Sequence, residues 1–323
     1  MDNQEKNAQA PLLFLVFNRP DTTEQVLKAI RLYRPERLYV ACDGPRVDRP
    51  GEEELVGTVQ RIISEGVDWP CSLFTLYRDT NLGCKKAVSS ALDWFFENEE
   101  AGIVLEDDCL PHPDFWRYCN ELLVRYANDE RVFMISGNNF QDGKKVNDDS
   151  YYVSALTHIW GWASWRRSWQ KVDLELGGYD DWVQQGGLQR LFGRGRWTGD
   201  WKRTFERYRQ GRYNTWDYPF LFAAWKHGQY ALLPSVNLVS NIGFGHQGAT
   251  HTNADVYNQL SSISTFSLEF PLKHPTCIHH QKLADIRSMR NKLFPSMSLK
   301  VLRLFGFILK RIFGCFSPSN VSG

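Results

Sequence analysis

Residues 101–108 read AGIVLEDD, a short apolar run that ends in three consecutive carboxylates. An apolar run of this length between turn signals predicts a buried strand. Glu106, Asp107 and Asp108 would then follow a core strand, at the edge where an open α/β sheet forms its ligand crevice. Adjacent carboxylates need a compensating cation, and oxygen ligands suit Mg²⁺ or Mn²⁺. We therefore expect a metal or nucleotide site, with the ion bridging to a diphosphate. A solvated acidic loop is the alternative, which the buried strand disfavours.

The sequence around this strand alternates strand and helix signals. Strands are predicted near 12–17, 38–41, 72–77 and 132–136, and helices near 21–33, 52–65, 84–97 and 114–127. Asp21-Thr22-Thr23-Glu24 has the pattern of a capping box, and Asp114 that of an N-cap. Repeated βα units of this length predict the α/β class, with a Rossmann-like, mostly parallel sheet and helices on both faces.

The chain changes character after Gly137. Residues 138–150, NNFQDGKKVNDDS, predict a surface loop or flexible insertion. Residues 151–252 are rich in Trp, Tyr and Gly, with helices expected near 200–210 and 216–227, and a further helix is expected near 281–292. For most of the 12 Trp we expect core packing rather than stacking on a sugar. The predicted organisation is a disordered stretch at 1–10, one large domain at 11–252 with halves 11–137 and 138–252, and a C-terminal extension at 253–323.

Composition narrows the function classes. The 323 residues include 38 Lys+Arg and 37 Asp+Glu, a formal net charge of +1. The chain therefore has no large positive charge that would attract nucleic acid. The seven cysteines show no CxxC spacing, which favours reduced thiols in the cytoplasm over structural zinc. The polar start, MDNQEKNAQA, predicts no signal peptide, and no apolar stretch reaches the roughly 18 residues of a spanning helix.

Residues 298–316 predict an amphipathic basic helix. Its four basic residues lie on one stripe of the helix: Lys300, Arg303, Lys310 and Arg311. Apolar side chains cover most of the remaining helix surface. Such a helix suits peripheral contact with anionic lipid at the inner face of the cytoplasmic membrane. The alternative is docking on the protein's own core or on a partner chain.

Polar residues follow each of the first three strands. Arg19 stands before a helix N-terminus, where it could meet a donor diphosphate, or it belongs to a plain turn. Asp43 could accept a hydrogen bond from the imide of a uracil base, or serve as a turn residue. Asn81 and Gly83 would let the backbone approach a ligand closely, although an ordinary turn uses the same residues.

Asp217 is the candidate general base. It stands in the first turn of a predicted aromatic helix, where the macrodipole favours its charged form. A transferase that inverts at an anomeric carbon needs one such base near the acceptor hydroxyl; the alternative is an ordinary N-terminal helix charge. The Gly-rich residues 240–252, with Phe244, predict a lid that excludes water, and leave open whether His246 or His251 contacts the metal.

These residues, in this order, resemble the GT-A nucleotide-diphospho-sugar transferases. More narrowly, they resemble the Golgi N-acetylglucosaminyltransferase group that begins complex N-glycans, and its bacterial sugar-transferase relatives. The likeness spans about residues 11–252 and is carried by short motifs: Phe17-Asn18-Arg19-Pro20, Asp43-Gly44, Glu106-Asp107-Asp108 with Pro113-Asp114-Phe115, Trp160-Gly161-Trp162, Trp216-Asp217, and Phe244-Gly245 before Gly248.

The resemblance implies a GT-A fold and a role for each motif residue. Asp108 would ligate Mn²⁺ or Mg²⁺, Asp107 would contact ribose or metal-bound water, and Glu106 would hydrogen-bond the donor sugar. The nucleotide sugar would also meet Arg19, Asp43, Asn81, Trp216, Phe244 and Gly245, and Asp217 would be the catalytic base. The chain departs from the family in having Tyr218 where a second acid follows the Trp-Asp pair, and in lacking the Golgi anchor and stem.

The predicted function is an inverting, metal-dependent glycosyltransferase, moving a hexosyl or N-acetylhexosaminyl group. The donor would be a nucleoside-diphosphate sugar, in the first instance UDP-linked, and the acceptor a hydroxyl of a glycan or lipid-linked glycan in bacterial surface polysaccharide synthesis. One alternative is a sugar nucleotidyltransferase, although Asn18-Arg19-Pro20 lacks the Gly-rich basic loop of that class. Another is a catalytically silent, membrane-associated binding module. A metal-dependent hydrolase would need a second acid cluster for a two-metal site.

Overall fold

The computed structural model describes residues 9–244 and 263–294. Its strands are β1 (Leu12–Val16), β2 (Arg37–Cys42), β3 (Ser72–Tyr77), β4 (Ala101–Glu106), β5 (Cys109–Pro111), β6 (Val132–Ser136), β7 (Tyr151–Ser154), β8 (Trp162–Trp165), β9 (Tyr230–Pro234) and β10 (Val239–Asn241). Its helices are α1 (Pro20–Tyr33), α2 (Glu52–Gly66), α3 (Gly83–Asn98), α4 (Pro113–Arg125), α5 (Arg166–Trp169), α6 (Tyr179–Gln184), α7 (Gly187–Phe192), α8 (Arg196–Arg209), α9 (Asp217–Lys226) and α10 (Lys282–Ser288), which continues into a π-helical turn at Met289–Leu293.

Eight strands form one sheet in the order β3-β2-β1-β4-β8-β6-β9-β7, and β5 pairs with β10 in a separate ribbon. Six of the eight point the same way, while β8 and β7 run antiparallel to their neighbours. The chain builds β2 and β3 on one side of β1 and places β4 on the other. The topological switch point, where α/β sheets bind ligands, therefore lies between the carboxyl ends of β1 and β4.

Helices cover both faces of this sheet, as the alternation of β1 illustrates. Successive strand residues point to opposite faces. Leu12 and Phe14 pack in a core with side chains of α1, α2 and α4. Leu13 and Leu15 pack in a second core with side chains of α3 and α9. The predicted α/β class, a Rossmann-like, mostly parallel sheet in one large domain, is confirmed.

A third, aromatic core lies outside the sheet, between α9 and the short helices α6 to α8. Trp201, Phe205 and Trp225 are buried there, and Met289 joins them from the segment after α10. Residues 263–294 thus pack onto the main body of the protein. Most tryptophans between 160 and 225 are core residues, as expected: Trp162, Trp165, Trp169, Trp201, Trp216 and Trp225.

Both predicted helix caps are wrong. Helix α1 begins at Pro20 with Arg19 at its N-cap position, and the Thr23 hydroxyl donates back to the Arg19 carbonyl at 2.7 Å. Pro20 suits the first helical position because it has no N–H to satisfy there. Helix α4 is capped by His112, whose ring Nδ1 accepts from the backbone N–H of Asp114 at 3.2 Å.

The prediction of a surface loop at 138–150 is wrong for its first part. Asn138 and Gln141 are fully buried, and Phe140 is nearly so. The Gln141 amide donates to the Ser288 hydroxyl at 2.9 Å and to the Ala284 carbonyl at 3.1 Å. A polar composition suggested exposure, but these polar groups are buried because each finds a hydrogen-bond partner.

Residues 298–316, the predicted amphipathic helix, lie outside the described residues. Among the helices of residues 9–244 and 263–294, none combines the length and the apolar character that crossing a membrane requires.

Candidate active site

Arg19 and the acidic triplet meet at the switch point. In the β1–β4 register Leu15 stands beside Glu106, so the residues that follow each strand converge. One guanidinium nitrogen of Arg19 donates to Asp108 Oδ2 at 2.6 Å and to Asp107 Oδ1 at 3.2 Å. Asp107 Oδ2 also accepts the backbone N–H of Phe17 at 3.2 Å. A single cation, Arg19, therefore pairs with two of the three carboxylates of the triplet.

Burial and the neighbouring acids disfavour the ionised forms of two carboxyl groups of the triplet. Burial, then the neighbouring acids Asp108 and Asp107, raise the pKa of Glu106 to about 8. Burial raises the pKa of Asp107 to about 7, although Arg19 opposes the shift. Burial would lower the pKa of Arg19, but Asp107 and Asp108 outweigh it and the pKa is raised. One guanidinium does not neutralise this site, so it can accept further positive charge.

Asp217 lies close enough to the triplet to interact with it. As the first residue of α9 it is half-buried, and its Oδ1 accepts from the Thr215 hydroxyl at 2.5 Å and from the Tyr218 N–H at 3.0 Å. Its charge contributes to the raised pKa of Glu106. Cys84, at the start of α3, keeps solvent contact, yet surrounding protein, then Glu106 and Asp217, raise its pKa to about 12. The predicted base and the acidic triplet therefore lie close enough in the folded protein for their charges to interact.

Trp216 lies behind the cleft. It is 2% exposed, and its ring stacks on Trp162 with centroids 5.6 Å apart. So little exposed surface does not suit the donor contact implied by the resemblance. The buried ring instead fixes the N-terminus of α9 and so the position of Asp217.

The β5–β10 ribbon brings the start of the predicted lid to the acids. Ile242 donates its backbone N–H to the Asp108 carbonyl at 2.8 Å. A Cβ on Gly243 would lie 2.4 Å from Asp108 Oδ2, so only glycine leaves that carboxylate in place. Phe244 packs edge-on against Trp160 with centroids 5.5 Å apart. Gly245, His246 and His251 lie outside the described residues, so their roles stay predictions.

This contact gives a prediction for Gly243→Ala. Asp108 is the predicted metal ligand of a nucleotide site, and the new methyl group would displace its side chain. This prediction implies that UDP affinity in the presence of Mn²⁺ falls about tenfold or more. Isothermal titration calorimetry measures this directly. The matched control is Gly57→Ala in α2, where a Cβ would have nothing within 4 Å. Wild-type affinity in folded Gly243→Ala protein would show that Asp108 need not hold this position.

Asp43 and Asn81 hold the neighbouring loops together. The Asp43 carboxylate accepts backbone N–H groups of Leu82 and Gly83, each at 3.0 Å, at the start of α3. The Asn81 amide donates to the Gly44 carbonyl at 2.8 Å. A Cβ on Gly44 would lie 2.5 Å from the backbone of residue 80, which explains the glycine. These contacts match the turn alternative; a uracil contact by Asp43 stays a prediction.

The site's capacity for a metal rests on one or two carboxylates. Within residues 9–244 and 263–294, no group of three or more His, Cys, Asp or Glu side chains is arranged to hold an ion alone. Mg²⁺ commonly binds one or two carboxylates together with substrate phosphates. Asp108, half-buried and paired with Arg19 through Oδ2, fits such a shared site. Arg19 Nε is buried without a partner, a spare donor beside the same acids.

His158 belongs to the same edge of the sheet and was not predicted from the sequence. It is buried against Phe140, with ring centroids 4.4 Å apart, and its Nε2 has no hydrogen-bond partner. Burial lowers its pKa to about 3. A histidine in a loop carries no sequence signal of such burial, which depends on the unexpected inward course of residues 138–141.

The His158 environment predicts acid sensitivity. Below pH 6.5 this ring is protonated in the unfolded chain, whereas in the folded protein it stays neutral down to about pH 3. The free energy of unfolding therefore falls as the pH drops below 6.5. At pH 4.5 the cost is about 2–3 kcal/mol relative to pH 7.5. We expect urea denaturation to show that His158→Phe loses less stability than wild type between these pH values. Equal losses would contradict the assignment.

Comparison with known proteins gives only distant likenesses. No protein-family model matches the chain, and no curated protein matches it. HddC from Yersinia pseudotuberculosis, crystallised with GMP-PN, is 8% identical over 49% of this chain and 77% of its own, with a TM-score of 0.31. An apo UDP-glucose pyrophosphorylase is 6% identical over 69% and 90%, with a TM-score of 0.32. A 4-diphosphocytidyl-2C-methyl-D-erythritol synthase from Anaerococcus prevotii is 13% identical over 54% and 77%, with a TM-score of 0.27. Similarity this low supports no inference about activity.

Proposed function

We propose that this protein is an inverting, metal-dependent glycosyltransferase that uses a nucleoside-diphosphate sugar. The observation that carries the proposal is that two separate acidic features lie close enough to interact. The first is the acidic triplet at the end of β4, which would take up a cation. The second is Asp217, a separate acid at the start of α9 that interacts with Glu106.

The two parts suit the two ends of a displacement reaction. Asp217 would take the proton from the acceptor hydroxyl as that oxygen attacks the anomeric carbon from the face opposite the leaving group. Its hydrogen bonds from Thr215 and Tyr218 fix the carboxylate for this role. Glu106 is half-buried, and its carboxylate accepts no hydrogen bond from the described residues, so it would accept one from a sugar hydroxyl. One oriented base and one leaving-group site give a single displacement, hence inversion.

The leaving diphosphate would lie on the Asp108 side of the cleft. Asp108 would hold Mn²⁺ or Mg²⁺, which when bound supplies positive charge to the departing diphosphate. Arg19 keeps Asp107 and Asp108 in position and adds its own charge. Gly243 lies against Asp108, and the next residue, Phe244, packs on Trp160. These two rings would help to exclude water from the sugar.

A thermal-shift screen tests this proposal and identifies the donor. UDP-glucose, UDP-galactose, UDP-N-acetylglucosamine and their GDP and dTDP counterparts are compared with and without Mn²⁺. A ligand that binds only the folded state raises the melting temperature, and one sugar nucleotide should do so in a Mn²⁺-dependent way. Release of free nucleoside diphosphate on adding acceptor then supports the transferase. Pyrophosphate formed from a sugar phosphate and a nucleoside triphosphate would instead establish a nucleotidyltransferase.

A further inference from the structure

A cavity of about 940 Å³ lies at the other end of α9 from the candidate active site. Asp217 begins this helix at the carboxyl edge of the sheet, and Lys226 ends it beside Tyr230, the first residue of β9, at the amino edge. Ten helical residues separate the two ends by about 15 Å. The cavity is therefore distinct from the cleft that holds Glu106 and Asp108.

The cavity is lined by cations without lining acids. Arg190, Lys226 and Lys282 contribute to its wall, and no Asp or Glu does so. Each of the three donates to a backbone carbonyl, those of Gln185, Gly177 and Arg190 respectively. No carboxylate of the described residues forms an ion pair with them. Lys226 does have a weak interaction with a carboxylate. Hydrogen bonds from the backbone N–H groups of Glu175 and Gly177 lower the pKa of Asp173, and the charge of Lys226 adds a smaller effect.

Aromatic and amide groups complete the wall. Trp182 lies over Gly187, where a Cβ would come within 2.3 Å of its ring, so the indole is held against the backbone. Its ring also stacks nearly parallel on Trp225, with centroids 6.1 Å apart, and meets Phe222 edge-on at 5.6 Å. Gln185 and Gln281 add amide groups that can donate to and accept from hydroxyls. An aromatic ring, amides and cations that form no ion pair with a described carboxylate are groups that recognise a charged sugar.

We propose that this cavity binds an acidic saccharide, that is, a sugar bearing a carboxylate or phosphate. The Arg190 guanidinium and the Lys282 ammonium take the anionic group, because a planar guanidinium matches carboxylate and phosphate oxygens. The half-buried Trp182 ring packs against the sugar with the surface that Gly187, Phe222 and Trp225 leave uncovered. The site goes beyond the proposed transfer reaction, which needs only the cleft at Asp108 and Asp217. A growing acidic glycan could be held here while its end is extended about one helix length away.

Binding by calorimetry, without turnover, tests the site. Three probes of equal length are compared: a tetrasaccharide of glucuronic acid, a glucose tetrasaccharide carrying one phosphate, and neutral maltotetraose. We expect at least one acidic probe to bind, the neutral probe to bind at least tenfold more weakly, and saturating UDP with Mn²⁺ to leave binding unchanged. The two acidic probes distinguish carboxylate from phosphate recognition.

Charge variants locate the binding. Arg190→Ala with Lys282→Ala should weaken acidic-probe binding at least tenfold, and Lys282→Glu alone should also weaken it. The control removes two exposed charges from α8, Lys202→Ala with Arg207→Ala, and should bind as wild type. Melting temperatures confirm that each variant is folded. No binding of either acidic probe, equal binding of maltotetraose, displacement by UDP, or wild-type affinity in the cavity variants would overturn the proposal. None of these outcomes bears on the transferase activity.

Discussion

Asp217→Asn is expected to lower kcat by about 10²–10⁴-fold, the usual contribution of a positioned general base, and to leave donor affinity unchanged. Asparagine keeps the Oδ1 that accepts from Thr215 and Tyr218, so the local structure at the start of α9 should persist. The amide cannot take the acceptor proton. Steady-state kinetics with calorimetric measurement of UDP-sugar binding separates the two effects.

The matched control for this experiment is Asp181→Asn. Asp181 also lies in the first turn of a helix, α6, but is exposed and interacts with none of the cleft residues. Its variant should turn over at the wild-type rate. An unchanged kcat in Asp217→Asn would remove Asp217 from the base role. A parallel loss of donor affinity would make it a binding residue.

Asp108→Ala is expected to remove the metal-dependent part of nucleotide binding. Wild-type protein should bind UDP more tightly with Mn²⁺ than without it, and the variant should bind equally, and weakly, in both conditions. Asp108 is the better candidate for a metal ligand because it is half-buried and lies against Gly243. Asp107, by contrast, is buried and bonded to Arg19 and to the backbone of Phe17. Arg19 keeps Asp107 as its partner, so the fold should survive.

Asp79→Ala is the control for that experiment. Asp79 lies at the same edge of the sheet, just after β3, but is exposed. Removing it takes the same charge from the same end of the molecule. Calorimetry showing wild-type, Mn²⁺-dependent affinity in Asp108→Ala would refute the metal assignment, and a loss in Asp79→Ala would reduce it to a general charge effect.

The first half of the fold was predictable because its signals are local. Each of β1 to β4 is an apolar run bounded by polar turns, and the helices between them have the length that parallel crossovers need. In the second half the helices α8, α9 and α10 were predictable, but the strands were not, since β8 and β10 are only four and three residues long. Short aromatic segments such as 162–165 do not distinguish strand from helix or loop. Their pairing depends on partners distant in sequence.

The site shows the same division. The acidic triplet and Asp217 could be selected from the sequence, because carboxylates at the ends of predicted elements are visible there. Their proximity could not, since it depends on how α9 packs against β4 through buried aromatic side chains. Gly243 shows the limit most clearly. Its contact with Asp108 exists because β10 pairs with β5, a contact across about 130 residues that no local pattern encodes.

The most direct test of the central claim is a crystal structure with Mn²⁺ and the sugar nucleotide chosen by thermal shift, with anomalous diffraction at the manganese edge. We predict a manganese peak at about 2.0–2.2 Å from an Asp108 carboxylate oxygen and bridging to the diphosphate, as for small hard cations. Asp217 should lie on the face of the anomeric carbon opposite the diphosphate. An ion-free triplet facing solvent, with the diphosphate bound elsewhere, would contradict the account.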